Sequence, residues 1–144
     1  MNIHNLKRMY NHILTVPEEL LNMSYWRQDD LLIEPECNTV GCVAGHCVFL
    51  DVSIIERFRN DQIDFTSWSE KFTELDFFDD AIVWSFLFDA AWGRKDKTNT
   101  KEQILARIKK TIMEGKKSIE FSWNLDFNYL VTNPNYLDQT PFKL

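Results

Sequence analysis

The sequence predicts a mainly α protein, a single compact multi-helix domain with a C-terminal extended or β tail. Three observations lead there. Apolar residues recur at helical spacing in several separate stretches. Only four glycines and four prolines occur in 144 residues, too few for an all-β fold full of tight turns. Strict alternation of apolar and polar residues is found near the C-terminus, from Ile119 to Phe127. The helical body is placed at residues 1–117. The tail, residues 118–144, is either part of the same domain or a dimerisation arm.

Taken in order, Ile3, Leu6, Tyr10, Ile13 and Leu14 mark one face of a first helix, with Lys7, Arg8 and Asn11 on its other faces. It is expected to stop around Thr15-Val16, because Pro17 disfavours helical geometry in the residue before it. Pro17 then opens a short second helix, whose first turn holds Glu18 and Glu19 where the helix dipole favours acids. No period holds from Asn22 to Glu36, and Leu31 to Ile33 reads as a short extended piece. Asn38 or Thr39 caps a helix running to about Leu50. Ser53 with Glu56, and Ser67 with Glu70, have the spacing of capping boxes for helices 54–59 and 68–75. Asp76, with Asp79 three places on, starts an apolar helix through Phe88. The last long helix begins near Thr100, presents Ile104, Leu105, Ile108 and Ile112 on its apolar face, and stops at Gly115. From Ile119 the large side chains alternate with Glu120, Ser122, Asn124 and Asp126, the pattern of a strand. Such a strand needs a partner for its backbone and its apolar face. Antiparallel pairing with the tail of a second copy supplies both, so a homodimer through the C-terminal tail is expected. A groove on the chain's own body is the other solution. Beyond the strand, Asn133-Pro134-Asn135 and Pro141 break it, and Tyr136 and Phe142 anchor the end.

Composition narrows the function. The formal charge is −6, which argues against binding long nucleic acid. No N-terminal apolar stretch resembles a signal peptide, and the apolar run Ala81 to Phe88 is too short to span a bilayer. A cytoplasmic protein with no membrane partner is expected. Three cysteines, Cys37, Cys42 and Cys47, fall within eleven positions, an odd and crowded set unlike a secreted disulfide framework. Reduced thiols are the simpler reading.

The informative segment is Cys37-Asn38-Thr39-Val40-Gly41-Cys42-Val43-Ala44-Gly45-His46-Cys47. With Asn38 or Thr39 as cap, Thr39 and the amides of Gly41 and Cys42 form an open first turn, where unpaired N–H groups receive an anion. Gly41 and Gly45 lie one turn apart and remove bulk from one stripe, for close approach of another helix or of a ligand. Cys37, Cys42 and His46 are plausible zinc ligands, but Cys47 points about 100° from His46 on a helix, and no C-x-x-C pair occurs. No metal and no cofactor are expected. A Cys42–His46 nucleophile lacks an orienting third group and an oxyanion site, and no other catalytic motif occurs, so the chain is not expected to be an enzyme.

The elements Asn22-Met23-Ser24-Tyr25-Trp26, Cys37 to His46, Leu87-Phe88, and Thr100 through Ala106-Arg107-Ile108 together carry a likeness. They resemble a set of small uncharacterised bacterial and phage proteins with a C-G-T-x-x-C-x-A-G-[HW] motif. The likeness runs from about residue 3 to residue 114, and Asn38 stands where that pattern has glycine. It implies accessory, often phage-borne cargo acting in the host cytoplasm, with no established activity attached.

Charge is unevenly placed. Residues 94 to 117 hold nine Lys/Arg against three acids, while the remainder is strongly acidic, with clusters at Glu18-Glu19, Asp29-Asp30 and Asp76-Asp79-Asp80. The basic stretch reads first as a solvated helix face and second as an attractor of small anions. Trp26, Trp68 and Trp84 read as structural, whereas Trp92, beside Gly93-Arg94-Lys95, is placed to be exposed. The leading expectation is a non-enzymatic protein that binds and sequesters a small anionic, nucleotide-like ligand, countering host defence signalling. Thr39, Gly41 and Cys42 would receive the anion, Arg94, Arg107 or His46 would supply counter-charge, and Trp92 a stacking surface. The alternative is a protein–protein inhibitor that engages a host defence factor through an acidic, aromatic-rich surface.

Overall fold

In the computed structural model, Asn2 keeps an extended backbone and its side-chain oxygen accepts the N–H of Asn5 at 2.9 Å, which opens α1 (Ile3–Thr15). The structure describes residues 1–21, 46–47, 50–51, 65–88, 100–122 and 133–144. α1 ends where Pro17 requires, with Val16 extended, and a 3-10 turn (Glu18–Leu20) follows. Its buried face is Leu6, Met9, Tyr10 and Ile13; Ile3 and Leu14 are only partly covered, at the edge of the stripe.

α2 (Phe65–Thr73) starts before the expected Ser67–Glu70 box, so Ser67 lies inside the helix rather than at its cap. Its last carbonyls are satisfied from another helix. The Asn5 side chain donates to Phe72 O at 2.8 Å, and the backbone N–H of Asn2 donates to Thr73 O at 2.6 Å. The positive end of α1 therefore abuts the negative end of α2, and each supplies the groups that the other lacks. Glu74 then turns the chain with a left-handed φ of 55°.

Asp76 caps the turn of residues 77–80 that leads into the next helix, which begins at Ala81, later than expected. Its Oδ1 accepts the N–H groups of Phe78 and Asp79 at 2.8 Å each, and the Asp80 carboxylate reaches back to the Asp76 N–H at 2.9 Å. α3 (Ala81–Phe88) is apolar nearly all round and buries Val83, Trp84, Phe86, Leu87 and Phe88. Trp84 donates its ring N–H to Ser69 Oγ at 2.8 Å, joining α3 to α2. Trp68 and Trp84 are thus structural; Trp26 and Trp92 lie outside the described residues.

α4 (Lys101–Ser122) is the central helix, packed by α1, α3 and the short α5 (Pro134–Leu137). Thr100 caps it, accepting the N–H of Gln103 at 3.2 Å. The expected apolar face is present: Ile104, Leu105 and Ile108 are buried and Ile112 partly so. The expected solvated basic face is absent over residues 103–111, whereas Lys117 is exposed and Arg94, Lys95 and Lys97 lie outside the described residues. Every residue from 103 to 111 is buried, about two and a half turns without a water-facing side. Arg107 donates to Phe86 O at 3.3 Å, Lys109 binds the carbonyl of Asp138, and Lys110 pairs with Glu114 at 2.5 Å. The cations are consumed within the protein because the C-terminal segment and α3 cover them.

Gly115 interrupts α4 with φ 81° and ψ 176°, so the expected stop is a kink after which helix resumes. This overturns the strand reading over its first four residues, since Ile119 to Ser122 are helical. On a helix, residues two apart point about 200° from each other. Accordingly Ile119 is buried while Phe121 is exposed, and the alternation does not gather one apolar face. Residues 123–127 of the expected strand lie outside the described residues. Helix also runs through positions 117 and 118, where the sequence placed the start of the tail.

The end of the chain is seated on the body. Tyr136 is buried and its hydroxyl donates to the Glu114 carboxylate, while Phe142 packs against the core. Both anchors expected from the sequence are in place. Among the described residues the secondary structure is helical, with no strand, and no helix is long and apolar enough to cross a membrane.

Candidate functional site

Of the seven expected ligand-binding residues, Thr39, Gly41, Cys42, Trp92 and Arg94 lie outside the described residues. His46 and Arg107 are described, and they face different partners. His46 is helical and half-buried, with Nε2 2.8 Å from Leu20 O. The ring of His12, near the end of α1, bonds to the His46 backbone. Burial, and then the neighbouring His46 charge, hold the His12 imidazolium below the ordinary histidine range. Cys47, next in the chain, is fully buried. Cys37 and Cys42 lie outside the described residues, and among the described residues no three His, Cys, Asp or Glu side chains gather to hold a metal. Arg107 is 1% exposed and spans α4 to the last turn of α3.

A second surface was not foreseen residue by residue. It is carried by the turn that leads into α3, whose Asp80 is paired with Lys116 of α4. Phe78 is 83% exposed, Phe77 37% and Phe121 91%, with Met113 also exposed. The Phe77 and Phe78 rings are not loose. Phe78 meets Phe77 edge-on at 5.3 Å, Phe77 meets Trp84 edge-on at 4.8 Å, and Trp84 meets Phe88 at 5.4 Å. The ladder runs from solvent into the core, and its third ring, Trp84, is fixed by the Ser69 hydrogen bond. Capping by Asp76 and Asp80 fixes the turn that carries the outer two rings.

Carboxylates rim this surface. Residues 74 to 80 contribute Glu74, Asp76, Asp79 and Asp80 and no basic residue. Lys116, just past the kink, pairs with Asp80. Its ammonium is pushed above the ordinary lysine range first by that hydrogen bond, and then by the charges of Asp80, Glu120 and Asp79 around it. Asp79 and Glu120, the sequence neighbours of Phe78 and Phe121, thus lie within electrostatic reach of one lysine. For Asp80, burial works to raise the carboxyl pKa, but the bonds from Lys116 and the Asp76 N–H outweigh it and hold the group below the usual carboxylate range. The available signal in the sequence was the Phe77-Phe78 pair within the helix-starting turn. A cap fixes its backbone there, yet leaves the side chains outside the helix's buried face.

Models of protein families, curated proteins and solved structures were compared with this chain, and none of them matches.

Proposed function

We propose that this is a non-enzymatic accessory protein that works by binding another protein. Its working surface is the acid-rimmed aromatic face of Phe77, Phe78 and Phe121. The occupant is a basic surface on a host defence protein, of the kind that otherwise holds phosphates. The observation that carries this reading is the rigid aromatic ladder ending in an almost fully exposed ring among carboxylates. Exposed, preorganised aromatic side chains are the residues that dominate binding energy at interfaces. The carboxylates add steering and partner choice more than affinity. The resemblance to phage-borne cargo supports the host setting. The small-anion reading draws less support from the described residues, because Arg107 and His46 each engage a protein carbonyl.

The test compares wild-type protein with the Phe78→Ala/Phe121→Ala variant. Each is used to capture partners from host extract, and the captured protein is then purified and titrated at low and high salt. Both side chains are exposed, so stability should change by no more than about 0.5 kcal/mol per site. Affinity should fall about tenfold or more in the variant, and weaken with salt for both proteins. If mono-, di- or cyclic nucleotides raise the melting temperature while the captured protein binds the variant undiminished, sequestration of a small anion replaces this reading.

A further inference from the structure

Asn11, on α1, uses its side-chain amide as a strand would use its backbone. Its Oδ1 accepts the N–H of Phe142 at 2.8 Å, and its Nδ2 donates to the Phe142 carbonyl, also at 2.8 Å. This closes both hydrogen-bonding groups of one residue in an extended segment and ignores side-chain identity, the division of labour by which extended peptides are recognised. The side chain is read separately. The Phe142 ring meets Tyr10 edge-on, with centroids 4.9 Å apart, and the ammonium groups of Lys7 and Lys109 lie 5.8 and 6.0 Å from its centre. Two cations and an aromatic edge favour an aromatic ring over an aliphatic side chain of equal size. The approach is shaped as well. The Asp138 carbonyl accepts from Tyr10 and from Lys109, and the Asp138 carboxylate takes the Thr140 N–H at 3.0 Å. Pro141, Lys143 and Leu144 remain exposed, so one side chain is inserted while its neighbours stay in water.

We infer that this slot between α1 and α4 is a recognition site for an extended peptide that inserts one aromatic side chain, occupied in cis by the chain's own residues 138–144. The built parts are those of a short-motif site: a main-chain clamp, a ring pocket with cationic walls, and a fixed turn leading in. The occupant is displaceable because it inserts one half-buried ring and otherwise lies on the surface. A partner bearing such a motif would compete with the tail, which has the advantage of being tethered. The inference uses none of the residues of the acid-rimmed face, so the two stand or fall separately.

The probe is a fluorescein-labelled peptide with the sequence of residues 137–144, titrated against full-length wild-type protein and full-length Phe142→Ala, with anisotropy as readout. Tethering makes the wild-type chain a self-competitor, so the peptide should bind Phe142→Ala at least about tenfold more tightly. Adding Asn11→Ala to that variant, or replacing Phe by Ala in the peptide, should abolish the gain. A second measurement uses the wild-type chain alone. Several millimolar unlabelled peptide should speed hydrogen exchange at the Phe142 amide, and the Phe-to-Ala peptide should not. The inference is overturned if a folded Phe142→Ala chain binds no better than wild type, if the two peptides bind equally, or if Phe142 exchange is indifferent to the peptide.

Discussion

Replacing Gly115 with alanine tests the central helix. At an ordinary helical position, Gly→Ala stabilises by roughly 0.5–1 kcal/mol, because glycine loses more backbone freedom on folding. Gly115 is not at such a position. With φ 81° and ψ 176° it occupies a region that is nearly glycine-only, where another residue costs of order 1–3 kcal/mol. A Cβ there would meet nothing within 4 Å, so neither a clash nor new packing modifies that cost. Restricting the unfolded chain returns about 0.4–1 kcal/mol. The net expectation is a loss of about 1–2 kcal/mol. The alternative response, straightening α4, would swing residues 116–122 away. It would break the Lys116–Asp80 pair and expose Ile119, whose burial is worth roughly 1.5–3 kcal/mol. Both routes lose stability. Urea unfolding followed by circular dichroism at helical wavelengths measures it, with the slope compared to detect altered unfolding cooperativity. A Gly115→Ala protein as stable as wild type, or more so, would refute the kink.

Three further outcomes follow from the same geometry. Glu74 holds φ 55° at the end of α2, so Glu74→Gly should raise stability by about 1 kcal/mol in the same urea assay, opposite in sign to the Gly115 change. Asp80 titrates below its ordinary value when folded, so its contribution is complete above about pH 4 and is lost as pH falls through the folded value. Asp80→Asn should therefore melt lower at pH 7 and lose less on acidification; identical pH profiles would contradict the Lys116 pairing. For His12 the folded pKa lies below about 6.5, so the unfolded chain takes up protons first and stability declines as pH drops through that value. His12→Gln should flatten the melting temperature between pH 7 and the folded pKa, and an unchanged slope there would remove His12 as the cause.

Elements with a local chemical start or stop were legible from the sequence. α1 is bounded by Pro17, the turn leading into α3 is set by the Asp76 cap, and the opening of α4 is set by Thr100; each is decided by atoms within four residues. What escaped was decided by tertiary neighbours. The period-two pattern from Ile119 ignored that Gly115 restarts a helix, on which Ile119 faces the core and Phe121 faces water. Arg107 and Lys109 of α4 looked solvated because nothing local shows that Phe86 and Asp138 come to meet them. Met9 was overlooked on α1, although it lies three residues from Leu6 and four from Ile13. Phe77 and Phe78 were read only as parts of a helix start, because their exposure depends on which way the capped turn faces.

The first helix draws partners from far along the chain. Asn5 reaches Phe72 across 67 residues, and Asn11 reaches Phe142 across 131. Doubling a loop adds only about 0.6 kcal/mol of closure entropy, so these links are thermodynamically tolerable. Their effect is on timing. A lone helix of 13 residues is marginal in water, and the cover that α2, α4 and residues 133–144 give to Leu6, Met9, Tyr10 and Ile13 comes only once those segments exist. Folding is thereby deferred until residues 133–144 have been made, and slowed relative to bundles built from local contacts. The nascent chain spends that interval displaying an apolar stripe, which makes yield sensitive to chaperone supply and to growth temperature during production.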